Sequence, residues 1–273
     1  MRLYRSLFVS FLTVAALLIT SSAFAELGNS TPQYTARSMT LDAGTLRVDV
    51  GPSDFGLLNS GAINNRRGLT FNKSAGVSDL GVGAGIGAAY GVMDGLEIGT
   101  LILPLAISPD FDYMNPEFYG RYRLMDGDTQ VGLQVGMVLP AQSGTDFGLS
   151  AGLPVLLRMD KMRIDTGAEL EFIFATDLQL NIDIPFALNY SVTDAVFIGG
   201  RTGLFFQDFT NVDFDGLSIP LGAQGGYTLD GGIADLTAWF NFPNFINTFP
   251  GGDAIFLKNW QLGLGANVFA NFM

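Results

Sequence analysis

Glu169 and Glu171 stand two positions apart, and Arg163 and Asp165 precede them on the same alternating beat. In an extended chain such residues project from one face. A carboxylate pair held that way could move a proton, or could join guanidinium groups in a lattice of ion pairs. The lattice is the reading we carry forward, because the rest of the chemistry is missing. The 273 residues include no His and no Cys. That excludes a Ser-His-Asp triad, an HExxH metal site, a thiol nucleophile and a Cys-ligated zinc. Asp208, Asn211, Asp213 and Asp215 cluster closely enough to suggest a cation, but their spacing is not that of an EF-hand. They read as a solvated acidic loop, and no metal is expected. Gly81, Gly83, Gly85 and Gly87 recur every second residue and lack GxGxxG spacing, so no cofactor is expected. A formal charge of −12, with 14 Lys+Arg against 26 Asp+Glu, disfavours nucleic acid as a partner. An enzyme is not expected.

The elements that must carry these charges follow a period of two. Over 178–190, Leu178, Leu180, Ile182, Ile184, Phe186, Leu188 and Tyr190 share one face, and Gln179, Asn181, Asp183 and Asn189 the other. Over 161–174, Ile164, Leu170, Phe172 and Phe174 oppose Arg163, Asp165, Glu169 and Glu171. Over 115–124, Glu117, Arg121 and Arg123 share one parity. This is the strand signature.

A short pattern punctuates the strands. Tyr90 leads into Asp94-Gly95 and Tyr122 into Asp126-Gly127. Leu157-Arg158-Met159 leads into Asp160, Tyr190 into Asp194, and Tyr227 into Asp230-Gly231. The five Asp residues lie 32, 34, 34 and 36 positions apart. Asp and Gly after an apolar run mark a tight hairpin turn. Each repeat is therefore two strands, one tight turn and one longer loop. Strands are predicted at 44–51, 78–91, 96–107, 115–124, 129–140, 147–158, 161–174, 178–190, 196–207, 217–228, 233–242 and 259–272. Twelve strands, with tight turns and both termini on one side and longer loops on the other, form the pattern of an outer-membrane, up-and-down antiparallel β-barrel.

Alternation does not say which face is inside. A cationic side chain at the lipid midplane costs about 2–4 kcal/mol, so the charged parity is assigned to the bore. That parity holds Arg47, Asp49, Glu97, Glu117, Arg121, Arg123, Arg158, Arg163, Asp165, Glu169, Glu171, Asp183, Arg201 and Asp235. Tyr90, Tyr122, Tyr190 and Tyr227 share the apolar parity just before tight turns, where an aromatic belt at the periplasmic interface belongs. Phe197, Phe205, Trp239 and Phe269 share the inward parity and offer a path for greasy solutes.

Residues 1–25 read as a signal peptide: Arg2 and Arg5, an apolar core from Leu7 to Ile19, and the small-x-small pattern Ala23-Phe24-Ala25. The chain is thus addressed to the cell outer membrane. Residues 26–43 are polar and irregular, a periplasmic segment or a partial plug, and the barrel is expected over 44–273. The longest loop is placed at 52–77, with Arg66, Arg67 and Lys73, and another at 243–258. Pro104, Pro140, Pro154, Pro185 and Pro220 fall inside or at the ends of strands, and bulges or kinks are predicted there.

The chain from 26 onward resembles Gram-negative outer-membrane channel proteins. The Tyr-Gly-x-x-Asp turn followed by Leu96-Glu97-Ile98-Gly99 is similar to that of the porin-like family of phenol-degradation meta-pathway transporters. That resemblance implies passive uptake of small molecules, hydrophobic or aromatic ones among them. The terminal Phe269-Ala270-Asn271-Phe272-Met273 resembles the assembly signal read by the barrel-insertion machinery, with Met273 as a departure. The partners implied are the lipid bilayer, lipopolysaccharide, that machinery and a small-molecule solute. The rival reading is a structural or surface-interaction barrel that transports nothing because its lumen is plugged.

Overall fold

The alternation of apolar and polar residues is realised as one sheet closed on itself. The computed structural model describes residues 33–50, 68–73, 81–113, 115–141, 146–207, 216–229, 232–248 and 259–272. The strands are β1 (Thr45–Val50), β2 (Gly68–Lys73), β3 (Gly81–Met93), β4 (Leu96–Ser108), β5 (Asp112–Tyr113), β6 (Glu117–Met125) and β7 (Thr129–Val138). They continue with β8 (Phe147–Met159), β9 (Met162–Phe174), β10 (Leu178–Ser191), β11 (Val196–Gln207), β12 (Gly216–Thr228), β13 (Ala234–Asn247) and β14 (Trp260–Asn271). Every pairing is antiparallel.

Fourteen strands fill twelve places in the wall. β1 pairs with the end of β14 (Thr45 opposite Asn271) and β2 with its beginning (Trp260 opposite Lys73). Both also pair with β3, so they lie end to end as one interrupted stave. β5 likewise continues the line of β6 along β4. The barrel closes where β1 and β2 meet β14.

The tight turns work as their residues require. Gly95 and Gly127 take φ of 80° and 118°, conformations that cost glycine little. Asp160 takes φ of 50°, which Asp tolerates better than most residues. In the 191–197 turn the Thr193 hydroxyl accepts hydrogen bonds from the amides of Ala195 and Val196, at 3.2 and 3.0 Å. Asp230 and Gly231 lie outside the described residues, as do 1–32, Arg66, Arg67 and the acidic stretch 208–215.

Three expectations need correction. Residues 68–73 do not belong to the long loop: Gly68-Leu69-Thr70-Phe71-Asn72-Lys73 pairs on both sides as β2. β13 runs to Asn247, five residues past its expected end, because the bulge opposite Ile219 and Leu221 absorbs Pro243. The prolines also behave differently from one another. Pro220 sits at a register shift, and shifts flank Pro104, but Pro154 and Pro185 pair in register with Gly167 and Gly203. There the partner is a glycine whose own Cβ would strike the Leu153 or Ile184 carbonyl. Neighbouring hydroxyls bind the proline carbonyls: Thr166 donates to that of Pro185 at 2.8 Å and Thr202 to that of Pro220 at 2.7 Å. The glycine leaves room for the proline strand to approach, so the register is kept while the proline nitrogen donates nothing.

Residues 33–43, expected as part of a periplasmic segment or a partial plug, form no strand and lie inside. A single helical turn, Tyr34–Ala36, begins a segment whose residues Tyr34, Thr35, Arg37, Met39, Thr40 and Leu41 are all buried.

Candidate functional site

The bore is the candidate site, and its floor at the tight-turn end is built from the ends of strands. Each strand presents polar residues inward by alternation, while the other parity exposes Ile98, Tyr122, Leu133, Val135, Leu153, Ile198 and Leu236. Arg47, Asp49, Glu97, Arg121, Arg163, Glu169 and Asp235 are buried. Glu117, Arg123, Arg158, Asp165, Glu171, Asp183 and Arg201 are half-buried. Tyr90, Tyr122, Tyr190 and Tyr227 are exposed, and Asp94, Asp126, Asp160 and Asp194 lie exposed at the turns.

The segment 33–43 threads through this floor and is held from many strands. Arg37 reaches Asp235 with two guanidinium nitrogens, and the Thr228 hydroxyl donates to the same carboxylate at 2.8 Å. The Arg37 guanidinium also lies 4.6 Å from the Phe269 ring centroid. Tyr34 stacks on Phe197 at 3.9 Å, nearly parallel. Arg163 donates to the Tyr34 carbonyl at 2.9 Å and Arg121 to that of Met39 at 3.1 Å. Gln130 accepts from the Met39 amide at 2.7 Å and Glu97 from the Leu41 amide at 3.0 Å. Arg158 donates to the Ala36 carbonyl at 2.8 Å, and Arg123 to the Ser38 hydroxyl. Thr35 and Ser191 share a hydroxyl contact at 2.6 Å.

The charges pair within strands as well. Arg47 binds Asp49 at 2.7 Å and lies 3.9 Å from a Glu97 oxygen that also accepts from the Tyr119 hydroxyl at 2.6 Å. Arg163 clasps Asp165 at 2.9 Å. Arg121 is satisfied by a neutral partner, the Gln134 side-chain oxygen. Glu169 and Glu171 do not meet a guanidinium on their own strands. Glu169 faces Asp183 in the register, and Glu171 accepts from the Asn181 amide at 2.9 Å. The loop half of the bore thus carries an acidic ladder, and the turn half an arginine-rich one.

Sequence reasoning placed the wall charges and gave 26–43 as a periplasmic segment or a partial plug, but named none of the contacts that hold 33–43. Tyr34, Arg37, Met39 and Leu41 carry no period that marks them as buried. The one available signal was a surplus of inward Arg at the turn ends of strands, which needs acceptors beyond the wall.

No family model matches the chain, and no curated protein matches its sequence. Solved structures do. An outer membrane channel from Pseudomonas putida F1 superposes with a TM-score of 0.53 at 11% identity, over 84% of this chain and 97% of that one. The fold is that of an outer-membrane β-barrel. A bacterial polysaccharide outer membrane secretin gives 0.41 at 13% identity, over 85% and 99% of the two chains. The Acinetobacter baumannii outer membrane protein Omp33 gives 0.38 at 12%, over 84% and 97%. The likeness is one of fold. The exposed apolar exterior is the surface that a bilayer covers.

Proposed function

We propose that this barrel sits in the bacterial outer membrane and lets small solutes diffuse passively through its bore, hydrophobic and aromatic ones among them. One observation carries the reading. Twelve staves enclose an interior too wide for their own side chains to fill as an ordinary core, and its walls are polar and charged. Of the inward aromatic residues, Phe197 lies beneath Tyr34 and Phe269 beside Arg37, and Phe205 and Trp239 are buried, so they bound the bore without a bare face. The tyrosines before the tight turns form the periplasmic belt, and lipid and lipopolysaccharide cover the exterior. The final strand, ending in Phe272, serves the insertion machinery. No catalytic role is assigned to the carboxylates.

A second reading has its own support. Segment 33–43 lies across the turn end of the bore with the contacts described above, as it would in a plugged barrel that serves as a scaffold. Planar-bilayer recording of the purified full chain separates the two. Discrete conductance steps are expected for a channel, and a flat trace at saturating protein removes the channel reading.

A further inference from the structure

Three neighbouring staves carry a longer apolar face than the strands on either side of them. On the outward parity, every second residue from Phe147 to Met159 on β8, from Met162 to Phe174 on β9, and from Leu178 to Val192 along β10 is aliphatic or aromatic, with one exception. The exception is Thr166, whose hydroxyl donates to the Pro185 carbonyl and asks nothing of its surroundings. The ends of these runs, Phe174 and Leu178 toward the loops and Met159 and Val192 toward the turns, are exposed. Charged residues stop them at once. Asp146 and Asp177 stand exposed at the loop end, and Asp160, Lys161 and Asp194 at the turn end.

The strands beside this flank are shorter on the same parity. Along β7 the run goes from Val131 to Leu139, because exposed Thr129 cuts it off. Along β11 it goes from Val196 to Phe206, and Asp208 comes next on that parity in the sequence.

These lengths convert to heights. At about 3.3 Å per residue and a strand tilt of about 40°, the thirteen residues of β8 or β9 stand about 30 Å tall. The run from Leu178 to Val192 stands about 35 Å, that on β11 about 25 Å and that on β7 about 20 Å. The usual apolar band of such barrels is about 25 Å. Exposed apolar side chains beyond that height need a cover. The flank is continuous with the exterior that the bilayer covers, and no charged residue shares its outward parity between the bounding rows.

We propose that the β8–β10 flank is fitted to a hydrocarbon layer about 30–35 Å thick, and that it gathers long-chain lipid along that side of the barrel. A thinner bilayer must thicken locally, or the barrel must tilt. The proposal concerns the exterior and does not depend on conduction.

The test is urea unfolding of the full chain in phosphatidylcholine vesicles whose monounsaturated chains have fourteen, sixteen, eighteen or twenty carbons. The midpoint is expected to be highest at eighteen or twenty. Phe174→Asn with Leu178→Asn and Val192→Asn trims the face at both ends, and should move the maximum at least one step toward shorter chains. Leu153→Asn, in the middle of β8, should lower every midpoint without moving the maximum. A maximum at fourteen carbons, or an unmoved maximum in the trimmed variant, would overturn the proposal. A second measurement keeps the apolar ends of β8 and β9 intact. The chain has no Cys, so Val192→Cys accepts a single nitroxide. In twenty-carbon vesicles, oxygen should relax that label more than a water-soluble nickel complex does. Stronger relaxation by nickel, or coupling between labels on two barrels, would assign the rim to water or to a second copy and overturn the proposal.

Discussion

Arg37→Met tests what holds the segment in the bore. The side chain keeps its bulk but loses its charge and its fork. Asp235 is fully buried and would retain only the Thr228 hydroxyl of the donors described above. Removing one member of a buried ion pair costs about 3–5 kcal/mol, because the other charge stays behind uncompensated. The lower end applies here, since Thr228 remains and bore water reaches a vacated carboxylate. About 3 kcal/mol corresponds to a factor of roughly 150 in the ratio of unseated to seated segment. The Tyr34 stack on Phe197 and the bonds from Arg163, Arg121, Gln130 and Glu97 persist. The segment therefore leaves more often without being lost. In single-channel records the ratio of time at high to low conductance should rise by about two orders of magnitude. Arg37→Met/Asp235→Asn should recover part of the seating, since the stranded charge is gone. A ratio within threefold of the parent would refute the argument, provided the variant runs as a folded barrel on an unheated gel.

Two further outcomes follow from the wall. Leu153 is 51% exposed at the centre of β8 and is paired with Ala168 at the centre of β9; Leu153→Arg should cost about 2–4 kcal/mol on the lipid face, read as a lower urea midpoint in liposomes, and an unchanged midpoint would contradict a bilayer there. Glu169→Gln with Asp183→Asn removes two facing carboxylates from the loop half of the bore; the reversal potential in a salt gradient should move toward anion preference, and no movement would mean that ions pass elsewhere.

The wall was legible in the sequence because a strand writes its environment every second residue. Glu169 and Glu171 against Leu170 and Phe172, or Arg121 and Arg123 against Tyr122 and Leu124, give both the element and its inward face. The turns were legible because Asp94-Gly95 and Asp126-Gly127 carry their own backbone preference. β2 was not, since six residues are too few for alternation to stand out within a long irregular stretch, and one of its two partners, β14, lies at the opposite end of the chain. Pro154 and Pro185 were misjudged because the relief comes from Gly167 and Gly203 on neighbouring strands. Segment 33–43 was hardest. Its burial follows from side chains on at least eight strands, and no local pattern in Tyr34, Arg37 or Met39 reflects them.

The interrupted first stave has a consequence for how the chain tolerates change. Val50 meets Ala266 and Leu69 meets Leu264, so the two halves of the seam hold β14 on either side of Gly265. Each half sets its own alignment through its own ladder. The polypeptide joining Val50 to Gly68 does not dictate closure. Lengthening a tether adds only a slowly growing entropy cost, so this joint can accept a foreign peptide, a tag or an epitope, while the cylinder stays shut on both sides of it.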